Sequence, residues 1–253
     1  MMITYVALLY GLRYSDFVLE LWVLVYIIWR GQLRRLIGPW LYVCLAFTLN
    51  GFVRPLALNS YGQNSRQYLV VYSLTDLCFT LATFLLICSF YRRAFSYQER
   101  IWKLSRILLV FVFLIVVVVS ALETSNPHAQ FLTFFSNMEL TQNLYFTCLV
   151  LTALLFVLIE RIESVDDELG LLVCGVGVQV AGPTATLALL NLTRGSDFAQ
   201  SLNSLVILFS TFGMLLTWSY AITWRWRLLG RSRRDHVPPY ALRRNHARSD
   251  SAA

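Results

Sequence analysis

Residues 68–91 read YLVVYSLTDLCFTLATFLLICSFY, with Asp76 as the one formal charge and no Gly or Pro to break the run. A helix rises 1.5 Å per residue, so about 20 apolar residues cross a hydrocarbon layer of about 30 Å. The apolar residues are continuous rather than alternating, which argues for a spanning helix and against a strand of a membrane β-barrel. This stretch sets the scale against which the rest of the chain is read.

Six further segments of the same kind flank it. Two precede it, Leu12–Trp29 and Pro39–Val53. Four follow: Lys103–Leu122, which contains FVFLIVVVVS, then Leu140–Ile159, Leu169–Leu190 and Leu202–Trp224. The expected fold class is therefore all-α, an integral membrane bundle of seven transmembrane helices. Residues 1–226 form the bundle, and 227–253 form a basic, partly disordered tail that contains Pro238-Pro239. The composition agrees: of 253 residues 57% are hydrophobic and 14% charged, whereas soluble domains carry nearer a quarter charged. The connecting stretches RPLALNSYGQNSRQ and ETSNPHAQFLTFFSNME are expected to be loops, both too short for a domain of their own. The start lacks the basic n-region and small-residue site of a cleavable signal peptide.

Basic residues fix the expected orientation. Arg30, Arg34 and Arg35 follow the first segment, and Arg92, Arg93, Arg100, Lys103 and Arg106 follow the third. Arg161 follows the fifth, and eight arginines from Arg225 to Arg248 follow the last. Those 17 fall on one side, against Arg13, Arg54, Arg66 and Arg194 on the other. The positive-inside rule then puts the N-terminus outside and the tail in the cytoplasm. Trp29, Trp40, Trp102, Trp224 and Trp226 all fall at inner ends, where an indole keeps its ring in lipid and its N–H in water. The third inner segment, ERIESVDDE, is acidic and too short to choose its own side.

The first segment balances on its acids. Asp16 and Glu20 each cost roughly 2.5–3.5 kcal/mol near the centre of the layer, while each Leu, Ile, Phe or Val returns roughly 0.3–0.6. Insertion then needs neighbouring helices that accept the acids, and the alternative is six spanning helices with this segment on the surface. The two acids are four residues apart and share a helix face. With Trp29 at the inner boundary, Glu20 stands roughly 14 Å above it. Asn50, Asp76, Gln142, Asn143 and Asn203 fall toward the outer side, and Gln179 near the middle of the sixth segment, four residues before Pro183. Ionisable groups inside a membrane mark functional sites. Asp16, Glu20, Asn50, Asp76 and Gln179 are therefore the candidate lining of a polar, ligand-binding cavity open to the outside, set against plain structural pairing. Arg13 and Arg54 are the expected partners for the acids.

Gly170, Gly175, Gly177, Gly182 and Pro183 crowd the sixth segment. Small residues let helices approach closely and proline bends a helix, so tight packing with a proline bend is set against a functional hinge. The cysteines, Cys44, Cys78, Cys88, Cys148 and Cys174, all lie in apolar runs without a C-x-x-C pair and read as small packing residues.

Several chemistries are excluded. His128, His236 and His246 all lie outside the spanning segments, which removes an intramembrane zinc site, an H-E-x-x-H helix and a Ser–His dyad. There is no G-x-G-x-x-G or Walker loop. Lys103, the single lysine, sits at an inner boundary, so no Schiff base to retinal forms inside the bundle. No enzyme, cofactor or catalytic residue is expected. The net charge of +7 reflects topology rather than nucleic-acid binding, and the stretch WRWRLLGRSRR is expected to hold anionic lipid at the inner leaflet.

The segments RGQLRRLIGPWLYVCLAF and SFYRRAFSYQERIWKLSR, with the glycine-rich sixth segment, resemble a group of bacterial seven-helix integral membrane proteins of acidobacterial type. The layout of residues 1–226 also resembles the seven-helix sensor region at the N-terminus of some histidine kinases. That resemblance implies a membrane sensor. With no output domain following the last helix, a cytoplasmic protein partner would carry the signal. A small transporter or channel subunit working as an oligomer is the alternative.

Overall fold

The computed structural model describes residues 2–62, 65–96, 99–124, 132–161, 167–192 and 197–235. Among them every regular element is helical. Helix α1 runs Met2–Trp29 and α2 Ile37–Thr48; a π-helical turn, Leu49–Val53, leads straight into α3, Arg54–Tyr61. The long helices α4 (Arg66–Ala94), α5 (Glu99–Thr124), α6 (Leu132–Arg161), α7 (Asp167–Leu192) and α8 (Asp197–Asp235) follow. Each expected segment falls within one of these units. Six of them, with α2 to α3 taken as a single span, are long and apolar enough to cross a membrane. Helix α1 has the length but also carries Arg13, Asp16 and Glu20.

Two expected loops need correction. RPLALNSYGQNSRQ is mostly helix, because α3 continues the second span to Tyr61 before Gly62 turns the chain at φ 77°. Pro55 explains how. It lacks an N–H, and in an α-helix its ring would press on the carbonyl of residue 51. The chain inserts a π turn there instead, closed by the Arg54 N–H donating to the Leu49 carbonyl. ETSNPHAQFLTFFSNME likewise ends in helix, since α6 begins at Leu132. The expected boundary at 227 falls inside α8, and residues 236–253 lie outside the described residues, as do His128, His236 and His246.

The helices form a ring in the order α1, α2, α4, α6, α7, α8, closing from α8 back to α1. Helix α5 stands outside it, against α6 and α4. Its spanning window is 17% buried, against 50% for α7. Its outer face exposes Leu104, Ile107, Val110, Phe111, Leu114 and Leu122, an apolar area that calls for lipid or a partner rather than water. The core is apolar and aromatic. Trp218, Phe90, Leu144, Leu172 and Leu215 are fully buried, and the Tyr42 ring lies 5.1 Å from Phe79 and 5.9 Å from Trp218. Buried threonines satisfy their hydroxyls within their own helices: Thr80, Thr83, Thr152 and Thr184 each donate to the carbonyl four residues earlier.

The glycines of α7 explain its close fit to α8. A Cβ at Gly175 would stand 2.7 Å from the Trp218 ring, and one at Gly182 would collide with Ser210. The Trp218 indole donates to the Leu172 carbonyl at 2.9 Å. Gly170 faces open space, so packing requires two of these glycines and does not require that one.

Candidate functional site

At one end of α4 the π turn brings Arg54 against the helix. Its guanidinium donates to Asn50 Oδ1 at 3.2 Å, to Thr75 Oγ1 at 3.1 Å and to Asp76 Oδ1 at 3.4 Å. It also lies over the Tyr72 ring, 4.4 Å from the centroid. Asn50 sits inside the π turn and Asp76 nearly three helical turns into α4. The inserted residue resets the helix face so that Asn50 and Arg54 both address α4. A planar, five-donor guanidinium suits such a multi-acceptor site, and the aromatic face adds a cation–π contact.

Asp16 and Glu20 form a second group. Both are buried on one face of α1, within electrostatic reach of each other, and Glu20 is also within reach of Tyr42. Helix α1 packs on α2 and α8, and Phe17 fits over Gly51, where a Cβ would stand 2.9 Å from its ring. Neither Arg13 nor Arg54 serves these acids: Arg13 points outward, and Arg54 is engaged with Asp76. Among the described residues Asp16 Oδ1 has no hydrogen-bond partner.

Gln179 is buried on α7, and its Oε1 also lacks a partner among the described residues. Pro183 cannot donate to the Gln179 carbonyl, so this turn is under-bonded in backbone and side chain alike. Helix α7 packs on α6, α8 and α4. Thus the expected site residues fall into three places: Asn50 with Asp76, Asp16 with Glu20, and Gln179 alone. Asn143 joins α6 to α5 by donating to Ser120 Oγ at 3.2 Å. Gln142 is half-buried, and the side chain of Asn203 lies outside the described residues.

A fourth group, at the other end of α4, went unread in the sequence. Glu168, in the first turn of α7, accepts from Arg35 at 2.8 Å and lies 3.9 Å from Arg93. Its side chain is 5% exposed, against 35% for Arg35 and 21% for Arg93. Arg35 precedes α2 and Arg93 closes α4, so one carboxylate ties three helices. All three residues come from segments assigned to the inner side by charge. The acidic stretch ERIESVDDE ends on this residue, where it complements both the arginines and the helix N-terminus.

Two other expectations meet mixed outcomes. Trp29 is exposed beneath Arg30, whose guanidinium lies 5.5 Å from its ring. Trp40, however, has its indole N–H buried without a partner among the described residues, rather than wet. Of the cysteines, Cys148 is buried, Cys44 and Cys88 are half-buried, and Cys78 and Cys174 face outward, so only part of the set packs the core. No described group of three His, Cys, Asp or Glu side chains comes together to hold a metal.

These features define a helical protein with several helices able to span a membrane. No family model, curated protein or solved structure matches the chain.

Proposed function

We propose that the chain is a multi-pass protein of a bacterial cell membrane, a non-enzymatic sensor or signal-relay module acting through a cytoplasmic partner. In this reading seven helices span the membrane, with the N-terminus outside and the basic C-terminal stretch held to anionic lipid inside. The observation that carries the reading is the pair of ionic bridges on α4. Asp76 binds Arg54 near its start, and Arg93 meets Glu168 near its end, about 26 Å away along the helix. The second span is tied at the same two levels, through Arg54 and Arg35. A change at the outer bridge therefore reaches the inner one along two stiff helices. The likeness to histidine-kinase sensor regions supports the same assignment.

Paired spin labels at Arg92→Cys and Arg161→Cys, in a chain freed of native cysteines, test the relay. Asp76→Asn or Arg54→Gln should shift or broaden the distance between these inner ends. An unchanged distribution in both variants would remove the relay.

The buried, unpartnered Asp16 oxygen beside Glu20 favours a second reading, a small transporter or channel subunit working as an oligomer. Against it, Glu20 stands on α1 and Gln179 on α7, two helices that both pack on α8, and Gln179 Oε1 has no hydrogen-bond partner among the described residues. Glu20→Gln discriminates. Glutamine keeps the shape and loses the exchangeable proton, so a transporter would stay folded and lose proton or cation flux in vesicles. A relay shows no such flux before or after the change.

A further inference from the structure

A run of hydroxyls joins the Arg54–Asp76 pair to the acids of α1. Asp76, Thr80 and Thr83 stand at i, i+4 and i+7 on α4 and share one face, about 10 Å from first to last. Asp76 is the exposed end, its side chain 35% accessible beside Arg54; Thr80 and Thr83 are fully buried. The buried Tyr145 of α6 stands beside the Thr80 hydroxyl, within electrostatic reach of Asp76 and of Tyr42. The Tyr42 hydroxyl, on α2, lies 3.5 Å from that of Thr83 and within reach of Glu20 on α1. Both threonines donate their protons to carbonyls of their own helix, Thr80 to Asp76 at 2.8 Å and Thr83 to Phe79 at 3.0 Å. The threonines are thus fixed neighbours, and the phenolic protons stay available. Two tyrosines connect the exposed ion pair to the buried acids across four helices.

Among the described residues no cation pairs with Asp16 or Glu20, and Asp16 Oδ1 is buried without a partner. Two such carboxylates on one buried helix face do not both stay ionised, because a buried charge without a counter-ion is too costly. The titratable groups within reach of Glu20 are Asp16 on its own helix and Tyr42 on α2; α8, its other neighbour, brings no described ionisable side chain that close. Cys148 of α6 lies within reach of Tyr42.

We propose that the Asp16–Glu20 pair is a proton-binding site, loaded from the Asp76 end through the hydroxyls of Tyr145 and Tyr42. A proton on Asp76 passes to the Tyr145 oxygen as that hydroxyl's own proton passes to the Tyr42 oxygen, and the Tyr42 proton passes to the Glu20 carboxylate. One O–H bond forms for each that breaks. Asp76 is left as the carboxylate that Arg54 binds, both tyrosines end neutral, and Glu20 ends as the acid. The inference rests on neither reading of the function, since exchange with bulk water needs neither flux across a membrane nor a partner.

The test follows the C=O stretch of the protonated carboxyl by infrared difference spectroscopy of the full-length, detergent-solubilised chain, and times its shift after transfer to D2O. Glu20→Gln should remove that band, and a spectrum unchanged by Glu20→Gln would overturn the proposal. Tyr42→Phe and Tyr145→Phe keep the ring and delete one link each, so each should slow the exchange about tenfold. Thermal unfolding confirms that each variant folds, and if one does not, the other decides. An unchanged rate in either folded variant breaks the chain and overturns the proposal. Tyr91 donates its hydroxyl to the Leu151 carbonyl instead, so Tyr91→Phe should leave the rate as it was. Equal slowing in Tyr91→Phe would trace the effect to general tightening of the bundle, and would also overturn it.

Discussion

Removing the Glu168 carboxylate should loosen the bundle where α2, α4 and α7 meet, and the size of the effect follows from exposure. Deleting one partner of a buried ion pair costs about 3–5 kcal/mol when the remaining charge stays buried. Here the stranded groups are Arg35 and Arg93, whose side chains are 35% and 21% exposed. Both can turn toward headgroups and water, which discounts the penalty by about half, to about 2 kcal/mol for Glu168→Ala. For a chain of this length that lowers Tm by roughly 4–8 °C. Glu168→Gln keeps an acceptor for Arg35 and should lose about half as much. The assay is thermal unfolding of the detergent-solubilised chain for Glu168→Ala, Arg35→Ala and the double variant. Once Arg35 is gone the carboxylate has lost its closer partner, so the second deletion should cost visibly less than the first. Effects of the two single changes that add to within about 0.3–0.5 kcal/mol would mean that the residues do not interact, and the three-helix tie would fall.

Two other outcomes are expected. A tag at Met1 should be reached by an impermeant probe from outside intact cells, and a reporter after Ala253 should read cytoplasmic; a cytoplasmic Met1 with the tail still inside would leave α1 on the surface and reduce the spans to six. Bulky membrane-impermeant thiol reagents should label intact protein poorly even at outward-facing Cys78 and Cys174, because that face meets lipid, and rapid labelling of buried Cys148 would instead reveal water inside the ring.

The helices were legible because their signal is local and strong: an apolar run such as 68–91 admits few other folds. The sites were legible only in part, for physical reasons that differ from place to place. Asp76 and Asn50 could be singled out as polar groups in apolar runs and Arg54 as a partner for acids, but Arg54 was read as the start of a loop, with Pro55 next to it. The π turn that lets the span continue through that proline has no sequence signature of its own. Asp16 and Glu20 were placed together by their spacing of four, a property of one helix. Which helices neighbour theirs and that of Gln179 depends on the ring order, which hydropathy does not encode. Glu168 was hidden by its surroundings. In a run of five acids and one arginine it looks like a solvated loop, and only the folded chain brings Arg35 and Arg93 to it from segments far away in sequence.

The glycines bear on how a relay could move. Pro183 and the glycines around it invited a hinge within α7, yet Gly175 and Gly182 lie seven residues apart on the face that meets α8. A hinge opening between them would pull Trp218 from its pocket and break its bond to Leu172. Bending there therefore costs packing that interiors give up only in discrete steps. Helices α7 and α8 are better described as one rigid pair. If they move, they move together against α6, α4 and α1, on which they also pack, and the ionic tie from α7 to α2 and α4 runs through a single carboxylate. Glu168 is thus the place where a shift of α4, started at Arg54 and Asp76, would be felt by the α7–α8 pair. Because the tie is ionic and partly wet, it can break and re-form at a cost far below that of unpacking the Trp218 seam.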